Sequence, residues 1–156
     1  MDRDLRTPTV LGSIAAVADP ETARDRAHTE TQSVETDVRP DAVMAVLANA
    51  RLLPQWAPGF VDVVDGDAES GWVGTKGEQS FSIRVPVDSS ARTVDFLREV
   101  SPGREGGAYL RAVPRPGGGT VIVMTLPILP GTDRAATASI LTEELATLAA
   151  LMAQAD

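Results

Sequence analysis

Glu30 and Gln32 stand two residues apart in a segment where one alternating set is Gln32, Val34, Thr36 and Val38 and the other is Thr31, Ser33, Glu35 and Asp37. That period places Glu30 and Gln32 on one face of a half-buried strand. A carboxylate turned into an apolar interior loses solvation, its pKa rises, and it becomes suited to general-base work. At a frayed, wet strand end the same Glu30 is an ordinary surface acid, and the residues alone leave both readings open. His28 shares the parity of Glu30 and is the chain's single imidazole. It is either a proton carrier near neutral pH or an exposed side chain beside the N-terminal tail.

A second group comes from two later strands. Asp95 alternates with Thr93, and Tyr109 with Arg111, so Asp95, Tyr109 and Arg111 can meet on one sheet face. Such a trio polarises a carbonyl and holds an enolate, the requirement of aldol-type cyclisation or dehydration. The alternative is a cross-strand surface pair of Asp with Arg. Arg84 alternates with Ser80 and Ser82, opposite Phe81, Ile83 and Val85. It is a clamp for an anion or carbonyl if the cavity takes the polar face, and solvated if it takes the apolar one. Trp56, between Pro54 and Pro58, is either a stacking wall or a core anchor. With Gln32, Trp56, Phe81 and Arg84, the candidates for lining a ligand space are Phe96, Leu141 and Leu145.

Several chemistries are excluded. Zero Cys removes disulfides, thiol catalysis and thiolate metal sites, and one His precludes a multi-His metal centre within the chain. No nucleophile motif accompanies them, which disfavours hydrolysis through a covalent intermediate. With 14 Lys plus Arg against 22 Asp plus Glu, a net charge of -8 and six aromatics, the surface repels phosphate backbones and offers no stacking platform for nucleic acid. Gly117-Gly118-Gly119 leads into a strand rather than a helix, so it is read as a hairpin turn and not a phosphate loop. No run of about 18 apolar residues is present, which argues against a membrane span. The short, interrupted Val10–Ala18 stretch behind a leader of mixed charge argues against export. A cytoplasmic protein is expected.

These side chains need elements to hold them. The strand of Glu30 is followed by a helix opened by Pro40, a break at Asn49, and a second short helix ending before Pro58. Strand-like runs follow at Phe60–Val64, Trp72–Lys76, Gln79–Val87, Arg92–Glu99, Ala108–Val113 and Thr120–Leu126. They are separated by turn residues that include Pro102-Gly103 with Gly106-Gly107. After Pro130-Gly131, Thr132 or Asp133 can cap a helix of about 20 residues, on which Leu141, Leu145, Leu148 and Met152 form a stripe. Glu143 and Glu144 are assigned to its polar face. One helix covers only part of so large a sheet, so a sheet that curls around it leaves a hollow. The spacing predicts an α+β helix-grip arrangement: a curved antiparallel sheet of six to seven strands around a long C-terminal helix.

Ser33-Val34-Glu35-Thr36-Asp37-Val38-Arg39-Pro40, the Val- and Leu-bearing helix after it, and Leu53-Pro54-Gln55-Trp56-Ala57-Pro58 resemble the opening of the START-like, or SRPBCC, superfamily. Val94-Asp95-Phe96, Leu110-Arg111-Ala112-Val113-Pro114, Thr125-Leu126-Pro127 and the Leu-rich final helix resemble its polyketide cyclase/dehydratase and lipid-transport-like members. The resemblance implies a START-like domain over residues 28–156 behind an N-terminal extension of residues 1–27. It also implies a small hydrophobic or polyketide-like partner, and either cyclisation or dehydration without cofactor or metal, or plain carriage of a hydrophobic ligand. It transfers no catalytic set, because the working residues differ between subgroups.

Val121-Ile122-Val123-Met124 is apolar on both faces, so something should cover its outer side: the patch Val10, Leu11, Ile14 and Val17, or a second copy in a homodimer. Deleting residues 1–27 is expected to lower the melting temperature or change the mass by light scattering; if neither moves, both covers fail.

Overall fold

The computed structural model describes residues 29–155. The apolar patch of the extension, the short helix expected over Pro20–Ala27, and His28 lie outside the described residues.

Alternation at the start of the described chain forms β1 (Thr29–Thr36), an edge strand paired antiparallel with β8 (Thr120–Pro127). Between them run α1 (Pro40–Leu47), a 3-10 turn at Ala50–Leu52 and α2 (Leu53–Trp56). The strands β2 (Val63–Asp67), β3 (Gly71–Lys76), β4 (Gln79–Ile83), β5 (Val87–Asp88), β6 (Thr93–Ser101) and β7 (Arg104–Pro114) follow. The terminal helix α3 spans Arg134–Ala155. Pro40 occupies the first turn of α1, where a missing N–H costs nothing. Asp133 caps α3, its Oδ1 accepting from the Ala136 N–H at 3.1 Å.

All pairing is antiparallel, in two sheets: five strands ordered β1-β8-β7-β6-β5 and three ordered β2-β3-β4. The expected run Gln79–Val87 is broken around Pro86, which has no N–H to donate. The Arg84–Leu97 bridge joins the sheets there. Gly106 and Gly107, expected as turn residues, lie inside β7 opposite Arg98 and Leu97. A side chain at Gly107 would run into the carbonyl of Phe96 on the neighbouring strand, so glycine is a condition of that close approach. Gly117–Gly119 is the hairpin turn the sequence indicated, closed by Arg115 N–H to Gly119 O at 3.0 Å.

The core lies between the five-stranded sheet and the helices. Val94, Phe96, Leu110, Ile122 and Met124 face inward from the sheet, Val43, Leu47, Leu53 and Trp56 from the short helices, and Leu141, Leu145, Leu148 and Met152 from α3. By length and composition α3 matches a bilayer-spanning helix, yet its stripe of large residues is spent on the sheet. The helix start is tied to the edge strand by Arg134 Nε donating to Glu30 Oε2 at 2.7 Å. Leu145 is 1% exposed. Leu145→Ala should cost about 2–5 kcal/mol, measured as a reduced midpoint in urea denaturation.

Candidate functional site

The space between α3 and the sheet is filled at one end and open at the other, where it forms a cavity of about 270 Å3. Phe96 on β6, Gly107 and Ala108 on β7, and Met124 and Leu126 on β8 form its floor. Thr137, Ile140, Leu141 and Glu144 of α3 cover it, while Leu53 and Trp56 of α2 and the loop through Ala57, Gly59 and Phe60 close its side. The hollow follows from residue size: β7 offers glycine and alanine here, whereas at the next inward position the larger Leu110 is fully buried. Ile140, 51% exposed, and the exposed Gly59 mark the mouth.

The walls are fixed. Trp56 and Phe96 meet edge to face with centroids 5.7 Å apart. Phe60 meets Phe81 the same way at 5.8 Å, and the Arg98 guanidinium lies 4.7 Å from the centre of Phe81 and 5.4 Å from that of Phe60. The loop carrying Gly59 is pinned by Lys76, whose Nζ donates to Pro58 O at 2.7 Å and Asp62 Oδ1 at 2.8 Å.

One ionisable group stands in this apolar wall. The Glu144 carboxyl is half-buried, and loss of solvation pushes its pKa up to about 7. Its Oε1 lies 3.7 Å from where a Cβ on Gly59 would be, so it reaches across the mouth toward that loop. The other polar wall residue is Thr137, whose hydroxyl donates to the Asp133 carbonyl at 3.0 Å. A carboxyl poised near neutrality beside an apolar space can give a proton in one form and take one in the other.

The assignment of Glu144 to the polar face is thereby corrected. It lies seven residues beyond Thr137 and four before Leu148, on the flank of the buried stripe, while Glu143 is exposed. That spacing was the available signal; the presence of two adjacent glutamates concealed it.

The residues proposed from sequence separate into five groups. Trp56, Phe96 and Leu141 line the cavity. Leu145 is sealed in the core beside it. Glu30 is buried as expected for the inner face, but its Oε2 accepts from Arg134 and its Oε1 from Gln32 Nε2 at 2.8 Å. Arg134 first, then Gln32, holds its carboxyl below the usual range. The expected raised pKa is therefore reversed in direction, and the contact with Arg134 ties the start of α3 to β1. Asp95, Tyr109 and Arg111 do come together, Asp95 opposite Tyr109 and Arg111 opposite Thr93, but on the outer face, with Val94, Phe96 and Leu110 pointing the other way. Partial burial raises the Asp95 pKa, and Arg111 and Arg84 work against the rise. Phe81 and Arg84 wall a separate groove of about 750 Å3 at the seam of the sheets. There Arg84 is occupied by a bidentate pair with Glu105 at 2.6 and 3.0 Å.

Glu144 has a folded-state pKa above its ordinary 4.5. It burdens the fold least when protonated, and stability is lost as pH climbs from about 4.5 through about 7. Glu144→Gln should match the wild type near pH 4 and exceed it by about 1–3 kcal/mol at pH 8, allowing for partial solvation. Urea melts at the two pH values measure this; an equal gap at both would contradict the burial of the charge.

No family model and no curated protein matches the chain. Solved structures do. The Zhui aromatase/cyclase from a Streptomyces species superposes with a TM-score of 0.57 at 14% identity, over 81% of this chain and 93% of that one. The di-domain ARO/CYC protein BexL gives 0.59 at 21% identity, over 80% of this chain and 46% of its own length. The Aha1 dimer from Colwellia psychrerythraea gives 0.60 at 14%, over 80% and 95%. The chain shares the helix-grip fold of these structures, an antiparallel sheet around a C-terminal helix.

Proposed function

We propose that this chain, with its helix-grip fold, is a cofactor-independent acid/base catalyst of ring closure or water loss on a small, largely apolar substrate, with Glu144 moving the proton. The observation that carries this reading is a single carboxyl, with a pKa near 7, facing an otherwise apolar cavity. Ionised, Glu144 removes the proton from the carbon beside a substrate carbonyl. The same proton, now on the carboxyl, passes to a β-hydroxyl, the C–O bond breaks, and water and an α,β-unsaturated ketone leave. For an aldol-type closure, the enolate formed in the first step attacks a second carbonyl, and Glu144 returns the proton to the new alkoxide. Trp56 and Phe96 supply flat surfaces that hold a ring in place and keep water out. Neither Glu30 nor the outer-face group Asp95, Tyr109 and Arg111 has a part in these steps.

The second reading is a carrier of a hydrophobic ligand, favoured by the apolar character of every other cavity wall except Thr137. Native mass spectrometry of freshly purified protein tests the shared premise by revealing a retained compound. A bicyclic β-hydroxytetralone, whose dehydration gives fluorescent naphthol, separates the two. The wild type should accelerate it with a rate that titrates near pH 7, and Glu144→Gln should lose about 100-fold or more while still binding the product. Product binding without acceleration in either protein would establish the carrier.

A further inference from the structure

We infer that the cavity selects a one- or two-ring compound that presents a hydrogen-bond donor to Glu144, a hydroxyl or an amine, and rejects the corresponding carboxylate. This rests on the cavity being the ligand site of the proposed function, and names which ligands it takes.

Size sets the first limit. A hollow of about 270 Å3, open on one side, suits a compact ring system such as two fused rings. Charge sets the second. Among the described residues, the cations on the loop and wall beside Glu144 are held by other groups: Lys76 by Pro58 and Asp62, and Arg98 over Phe60 and Phe81; Arg134, at the start of the same helix, is paired with Glu30. On α3 itself the neighbouring Glu143 adds a second negative group, exposed to solvent. A ligand carboxylate entering the hollow would meet Glu144 in a desolvated space where no described residue offers a counter-charge, the arrangement that most penalises like charges. Thr137 does not relieve it, because its proton is committed to Asp133. A ligand O–H or N–H gains a charge-assisted hydrogen bond from the same carboxylate.

The experiment compares one ring system in three forms, naphthol, aminomethylnaphthalene and naphthoate, by calorimetry on the intact chain. Naphthol and the amine should bind at pH 8, and naphthoate at least roughly tenfold more weakly. The gap should close in Glu144→Gln, and narrow near pH 5.5, where protonated Glu144 can donate to naphthoate. Equal affinities for all three in the wild type would overturn the selection and leave the cavity reading standing. Binding of none of the three would overturn both. The Gln variant keeps the shape and is expected to fold at least as well as the wild type, so a lost gap is not a lost fold.

Discussion

The close approach of β6 and β7 at Phe96 and Gly107 governs the rest of this structure. A Cβ at Gly107 would overlap the Phe96 carbonyl, so the floor of the interior must stay flat there, and Ala108 beside it adds only a methyl. The helix above cannot sink to close the gap. Its large residues Leu145, Leu148 and Met152 already rest on the filled half of the sheet, and its first turn is held to the edge strand through Arg134 and Glu30. Interiors usually collapse around missing volume as far as their neighbours allow. Here a rigid support at each end of the helix keeps the space open.

A carboxyl placed over such a space is a liability for folding. Glu144 is penalised by burial, with no ion pair among the described residues to offset it, in contrast to Glu30, whose two hydrogen bonds favour its ionised form. The two glutamates differ in support: Glu30 is hydrogen-bonded on both oxygens and ties the frame together, whereas burial alone shifts the carboxyl of Glu144 at the hollow. Strongly perturbed groups in clefts are where chemistry tends to reside.

Much of the fold was legible in the sequence because it is written in local periods. The alternation of β1, the Leu141–Met152 stripe, the Pro40 helix start and the Gly117–Gly119 turn each depend on neighbours close in the chain. Gly106-Gly107 was misplaced because a glycine pair reads as a turn unless the adjacent strand is known, and here Phe96 is what requires it. For Asp95, Tyr109 and Arg111 the shared face was correct, but which side of the sheet met the helix depended on Leu97. That residue is buried outside the main core cluster and blurs the strand's period. Glu144 was hidden because the helical pattern was read as leucines against charges, although its spacing from Thr137 and Leu148 put it beside the stripe. Arg134 was not singled out at all, since nothing near it in sequence reveals that it meets a strand about a hundred residues earlier.

That last contact bears on how the molecule is made. The edge strand finds its partner only in β8, and the helix that covers the hollow comes later still, so the segments bounding it are among the first and the last described residues to leave the ribosome. Until α3 has emerged, the inner sheet face with Phe96, Leu110 and Met124 has no cover, and the nascent chain must wait in that state with its greasy side exposed. Docking of α3 is therefore the step that completes the interior and creates the chamber together, so a chain lacking α3 would have neither, a clear mark for chaperones and proteases.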